Sequence, residues 1–156
     1  MGKNIISVFT KKHTQIVNRL FTRVVLSAND ISDQALAQWD TGATNTCISE
    51  EVAQTYNLKP ISFAQSKTPS GTFTASLYLI DIILNNEVIF PKWTVMGSKI
   101  GAQGIDILIG MDIISKGDFA ISNFNGKTHF SFRLPSQEDV DYKQNFLCEI
   151  AATKEN

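Results

Sequence analysis

The chain is a succession of stretches dense in β-branched and aromatic residues, each closed by a turn signal, and this spacing leaves room for many strands and only short helices. "TQIVNRLFTRVVLS" (14–27), "ALAQW" (35–39), "ASLYLIDIIL" (75–84), "EVIFPKWTVMG" (87–97) and "GIDILIG" (104–110) read as strands. "TPSG" precedes the third of these and Asn85-Asn86 follows it. "FAISNFNGKTHFSFRL" (119–134) reads as a hairpin, because Asn125-Gly126 supplies residues that tolerate positive φ at a tight turn. Two short helices interrupt the series. "SEEVAQTYNL" has Ser49 as its cap, with Glu50 and Glu51 placed well in the first turn, and "MDIISKG" stops at Gly117. The pattern predicts an all-β domain over residues 1–134, with N-terminal strands within 4–27. Residues 135–156 form an extension that is either helix or tail.

At 156 residues, 43% hydrophobic and 19% charged, the chain has enough apolar material for one buried core and is neither disordered nor membrane-spanning in composition. No stretch approaches the roughly 20 apolar residues that cross a bilayer. The N-terminal residues resemble no secretory or myristoylation signal, so a cytoplasmic location is expected. A net charge of −1 gives no reason to expect a nucleic-acid partner. Lys3, Lys11, Lys12, Arg19 and Arg23 make the first residues basic, while the residues after Gln137 are net acidic; these opposite charges predict that the two ends meet, within or between chains. Interspersed apolar residues such as Val17, Leu20 and Val24 make the basic segment strand rather than a polyanion-binding arm. Cys47 and Cys148 lack any CxxC or neighbouring His pair and read as reduced, structural thiols.

One stretch carries potential chemistry. In "ALAQWDTGATNTCIS" (35–49) an apolar strand delivers Asp40 to its end, and Gly42 lets the backbone turn sharply before the helix near Ser49. Alone, this is equally an Asx-turn in which Asp40 bonds its own loop. The ordered combination of elements is more informative. "WDTGATNTCIS", followed about seventy residues later by "DILIGMDII", with "KTPSGTFTASLYLIDIIL" between and "GDFAISNFNGKTHFSF" after, resembles the retropepsin-like (retroviral-type) aspartic proteases, in their cellular and bacterial form, over roughly residues 15–134.

The resemblance implies a closed β-barrel-type acid-protease fold with a flap hairpin at about 64–84, and an aspartic endopeptidase working as a two-fold homodimer on a peptide or protein substrate. No cofactor, metal, nucleic acid or membrane is implied. It makes Asp40 the catalytic carboxylate, whose mate is Asp40 of an identical chain. Thr41 is the residue bonding across the dimer axis, and Gly42 the carbonyl that accepts a substrate backbone hydrogen bond. Ala43, Thr44, Ser70 and Gly71 belong to the substrate-binding surface, and Ile109-Gly110 is the element behind the active loop. Two carboxylates brought so close cannot both ionise; sharing one proton, one acts as base toward water and the other as acid toward the carbonyl oxygen.

The sequence departs from the retroviral pattern where those enzymes pair an Asp, after Gly-Ala, with an Arg after the later Gly. Here the positions are Thr44 and Met111, so both charges are absent together. Other readings are weaker. Cys47 and His129 could form a thiol–imidazole pair, but the resemblance makes Cys47 inward-facing and no orienting third residue is identifiable. Asp106 and Asp112 lack the further ligands of a calcium or magnesium site and read as loop or cap residues. His13 reads as a surface residue, and Trp39 and Trp93 as core or pocket wall. The rival function is a non-catalytic peptide-binding or dimerisation module on the same fold.

Overall fold

The structure, a computed structural model, describes residues 6–68 and 71–154; the first two positions of the expected N-terminal strand region and Ser70 lie outside the described residues. The elements are β1 (Ser7–Lys12), β2 (Leu20–Ala28), β3 (Ile31–Trp39) and β4 (Cys47–Ser49), then α1 (Glu50–Thr55), β5 (Ser62–Thr68), β6 (Gly71–Ile83) and β7 (Ile89–Ser98). A 3₁₀ turn over Lys99–Gln103 leads to β8 (Ile107–Ile109), α2 (Met111–Ile114), β9 (Asp118–Ser122), β10 (His129–Leu134) and α3 (Tyr142–Lys154).

Six strands close on themselves in the order β2-β3-β8-β4-β7-β6, with β6 returning to pair β2, and β5 extends β6 beyond the ring. Period-two alternation explains which way each strand faces: Thr22, Val24 and Leu26 on β2, Ala35, Ala37 and Trp39 on β3, and Ile107 and Ile109 on β8 are buried, while Arg23, between Thr22 and Val24, is exposed. Asn29 and Asp30, both at positive φ, close the tight β2–β3 turn, where Ala28 faces Ile31. The expected strand over 14–27 begins later, at Leu20, and Ile16 is exposed in the preceding loop. An apolar residue without ladder partners does not extend a strand.

The β1-β10-β9 sheet packs against the barrel. Between the two lies an aromatic cluster in which Trp39 stacks on Phe119 at 5.7 Å between ring centroids and meets Phe132 at 5.0 Å and Phe9 at 5.6 Å. Trp39 donates its indole N–H to Thr22 Oγ1 at 3.0 Å, so its buried polar atom is satisfied. The N-terminal strand meets β10 within the same protomer, from Ser7 opposite Leu134 to Lys12 opposite His129. His13, expected at the surface, is half-buried, with its Nε2 enclosed and without a partner.

Ser49 caps α1 as expected, accepting from Val52 N at 3.1 Å. Asn125 and Gly126 both take positive φ in the β9–β10 connection. Beyond Pro135 the chain is tied down by Asp118 and Arg133 and then becomes helical; Asp141 accepts from Gln144 N at the start of α3, while Tyr142 and Phe146 are exposed. Among the described residues no helix is long and apolar enough to cross a membrane.

Candidate active site

Asp40 leaves β3 immediately after Trp39, whose ring is locked in the aromatic cluster, so the root of the loop is rigid. The Asp40 amide donates to Ile109 O at 3.0 Å, continuing the parallel β3–β8 pairing by one more bond. The chain then turns tightly: Ala43 N donates to Asp40 O at 3.2 Å, and Gly42 N donates to Asp40 Oδ1 at 2.8 Å. One carboxylate oxygen is therefore oriented by its own loop, as an Asx-turn would have it. The other has no partner among the described residues of the protomer. Thr41 and Gly42 are exposed, and the Thr41 hydroxyl makes no hydrogen bond among the described residues.

The segment after β8 supports this loop from behind. Ile109 is fully buried. Met111 N donates to Ala43 O at 2.8 Å, Asp112 N to Thr44 O at 3.1 Å, and Gly110 N to Thr46 Oγ1 at 3.2 Å. A Cβ on Gly110 would stand 2.6 Å from the Asn45 carbonyl carbon and 3.0 Å from Ala43 O, so only glycine admits so close an approach. Asp40, Thr41, Gly42, Ala43 and Thr44 thus share one loop, with Ile109-Gly110 against its back. Gly71 lies apart, at the start of the long strand β6 of the β5–β6 hairpin, with φ of 132°.

Two clefts lie on the surface around the β5–β6 hairpin and β7. One of about 750 Å³ lies between Gly71–Ser76 of β6 and the turn around Lys99 and Ile100. The other, about 650 Å³, is lined by Asn45, Leu77, Trp93, Met96 and Asp112. Asp40 lines neither of them.

Cys47 is half-buried, less enclosed than a core thiol, and its Sγ contacts Asn45 O at 3.5 Å. Burial, and then the negative charges of Asp112 and Asp40, push its thiol up to about 11, which disfavours thiolate chemistry. No contact joins it to His129. Asp106 accepts from Leu36 N at 2.7 Å, a loop role as expected. Asp112, expected as a loop or cap residue, lies inside the first turn of α2, whose N-cap is Gly110. It accepts from Ile113 N at 3.0 Å, from the Thr46 hydroxyl at 2.7 Å and from the Trp93 indole at 3.1 Å. Sequence reasoning passed over Thr46; the available signal was a hydroxyl two residues before the apolar Ile48, on the same inward face, which must find a partner once buried.

The model of the family described as "gag-polyprotein putative aspartyl protease" matches residues 28–116. Among solved structures the chain is similar to a retropepsin-like aspartic protease from Rickettsia conorii, at 15% identity over 85% of this chain and 98% of that one, with a TM-score of 0.56. It also overlaps the Simian Foamy Virus (mac) protease at 21% identity, over 60% of this chain and 92% of that one, with a TM-score of 0.42. No curated protein sequence matches it. The first likeness shows the fold, the family match spans more than half of the chain, and the DTG-bearing loop lies inside the matched segment: the chain belongs to the gag-polyprotein aspartyl protease family and has the retropepsin-like fold.

Proposed function

We propose that the chain is an aspartic endopeptidase whose site is completed by a second copy of itself. The observation that carries this reading is the state of Asp40. Its Oδ1 is fixed by Gly42 N, its Oδ2 has no partner within the described protomer, and it sits beside an exposed Thr41-Gly42 edge rather than in a closed pocket. In a family of aspartic proteases, such a half-site calls for a facing carboxylate, and a two-fold axis through the loop supplies it from the partner's Asp40. Thr41, whose hydroxyl has no hydrogen bond among the described residues, would bond across that axis. Gly42 to Thr44 and the hairpin around Gly71 would hold an extended peptide by backbone hydrogen bonds.

In the assembled site the two Asp40 carboxylates hold one proton between them. The unprotonated one takes a proton from water, whose oxygen attacks the carbonyl carbon of the scissile peptide, while the protonated one donates to the carbonyl oxygen. The resulting tetrahedral intermediate collapses with the C–N bond breaking and a proton passing to the departing amine.

Asp40→Asn tests this reading. The substitution is nearly isosteric, so variant chains pair with wild type, but the amide cannot share the proton. After equal mixing and exchange, random pairing leaves about half of the wild-type chains in wild-type dimers, so cleavage of a diverse peptide library, read by mass spectrometry, should fall to roughly half. If exchange is verified and activity per wild-type chain stays constant, each chain carries its own complete site and the proposal fails.

A further inference from the structure

We infer that Asp112 is a positioning residue: its carboxylate clamps the exit of the Asp40 loop through Thr46 and Trp93, and turnover depends on that clamp. The catalytic part of this inference rests on the peptidase reading above. Where the retroviral enzymes have an Asp–Arg strut, this chain has Thr44 and Met111, and neither makes a side-chain hydrogen bond among the described residues. In this chain a carboxylate stands one residue after Met111, at Asp112, and takes neutral partners. Asp112 Oδ2 accepts from Trp93 Nε1 at 3.1 Å on β7, and Oδ1 accepts from the Thr46 hydroxyl at 2.7 Å. Thr46 is fully buried, so its one proton is committed to the carboxylate and its oxygen is left to accept from Gly110 N at 3.2 Å.

The result is a directed relay from the Trp93 indole to the Asp112 carboxylate, the Thr46 hydroxyl and the amide of Gly110, which abuts the loop. It joins β7 and the first turn of α2 to Thr46 at the exit of the loop, where β7 is also tied by the backbone bond from Met96 N to Thr46 O at 3.0 Å. The backbone adds a parallel link, Asp112 N to Thr44 O at 3.1 Å. Because the acceptor is ionised, the two side-chain bonds are of the stronger, charge-assisted kind. The Lys116 ammonium stands over the face of the Trp93 ring, 5.9 Å from its centroid, while Asp112 holds the ring's N–H edge.

An amide cannot replace this carboxylate. With its oxygen toward Thr46, an Asn would set its NH₂ against the indole N–H. Flipped, it would donate to a hydroxyl that already accepts from Gly110, stranding the hydroxyl proton in a buried place. Thr46→Val removes the hydroxyl at constant shape, and Thr46→Ser restores it.

The test compares Thr46→Val, Thr46→Ser, Asp112→Asn and the milder Trp93→Phe in two readouts. In peptide cleavage, kcat should fall about ten- to a hundredfold in Thr46→Val and Asp112→Asn, with KM within about threefold, because the loss is of geometry rather than of substrate contact. Thr46→Ser should recover kcat to within about threefold, and Trp93→Phe should lie between. In native amide hydrogen exchange, the Gly110 amide should lose protection in the Val and Asn variants and keep it in the Ser variant. Active wild type with kcat unchanged in both Thr46→Val and Asp112→Asn would overturn the positioning role, and unchanged Gly110 protection would overturn the clamp itself. A wild type as inert as Asp40→Asn would overturn the peptidase reading and the catalytic part of this one, with Gly110 exchange still deciding the clamp.

Discussion

Replacing Gly110 by alanine isolates how much of this site depends on close backbone approach. At φ −96° and ψ −175° an alanine fits the local conformation, so the effect is purely one of space. The added Cβ would stand 2.6 Å from the Asn45 carbonyl carbon, 2.7 Å from its oxygen and 3.0 Å from Ala43 O. These are backbone atoms of the loop and cannot rotate aside. Opening the shortest approach to ordinary contact at 3.4 Å displaces the loop relative to β8 by about 0.8 Å. That shift strains Met111 N to Ala43 O and Gly110 N to Thr46 Oγ1 together. Overpacking of this kind costs about 1–3 kcal/mol, which for a chain of this length lowers Tm by roughly 2–12 °C. A displacement near 1 Å at a reacting group costs on the order of a hundredfold in rate. Thermal unfolding followed by circular dichroism, with peptide cleavage on the same preparation, measures both. A Gly110→Ala protein with Tm within about 1 °C of wild type and cleavage within about twofold would refute the close-approach argument.

Two further outcomes follow from charges near the Asp40 loop and at the start of β9. Cys47, held up to about 11 by burial and by Asp112 and Asp40, should react with iodoacetamide at pH 8 about a hundredfold more slowly in the native protein than in the denatured one, while exposed Cys148 labels first; rapid native labelling of Cys47, followed by peptide mass spectrometry, would contradict its environment. The Asp118 carboxyl is drawn down from 3.8 to about 2, first by the Ser136 hydroxyl, then by the Gln137 amide, and by Arg133. Because the folded value lies below the ordinary one, its stabilisation is complete above about pH 4 and is lost as pH falls through about 2. The Gln137 amide shift in an NMR titration should therefore move with a midpoint near 2, and a midpoint near 4 would show that the contact does not hold the segment.

The sequence by itself determined the fold class and marked the loop to which the chemistry is proposed to belong. Strands β2, β3, β6, β7, β8 and β10 were legible because their buried residues recur with the pleat, and Ser49 and Asn125-Gly126 were legible because cap and turn chemistry act over three or four residues. The Asp40 loop and the Ile109-Gly110 element were legible as an ordered pair of motifs in the pattern of the retropepsin-like family. What only the tertiary structure decided is how distant segments meet. That β1 is matched by β10 in its own protomer, that His13 is half enclosed, and that Asp112 holds Thr46 and Trp93 are facts about residues 19 to about 120 positions apart. Local periodicity tells which face of a strand is buried, but a hydrogen bond between side chains needs the angles and separations of three elements at once. Those are fixed only when the barrel closes and every buried donor must find an acceptor.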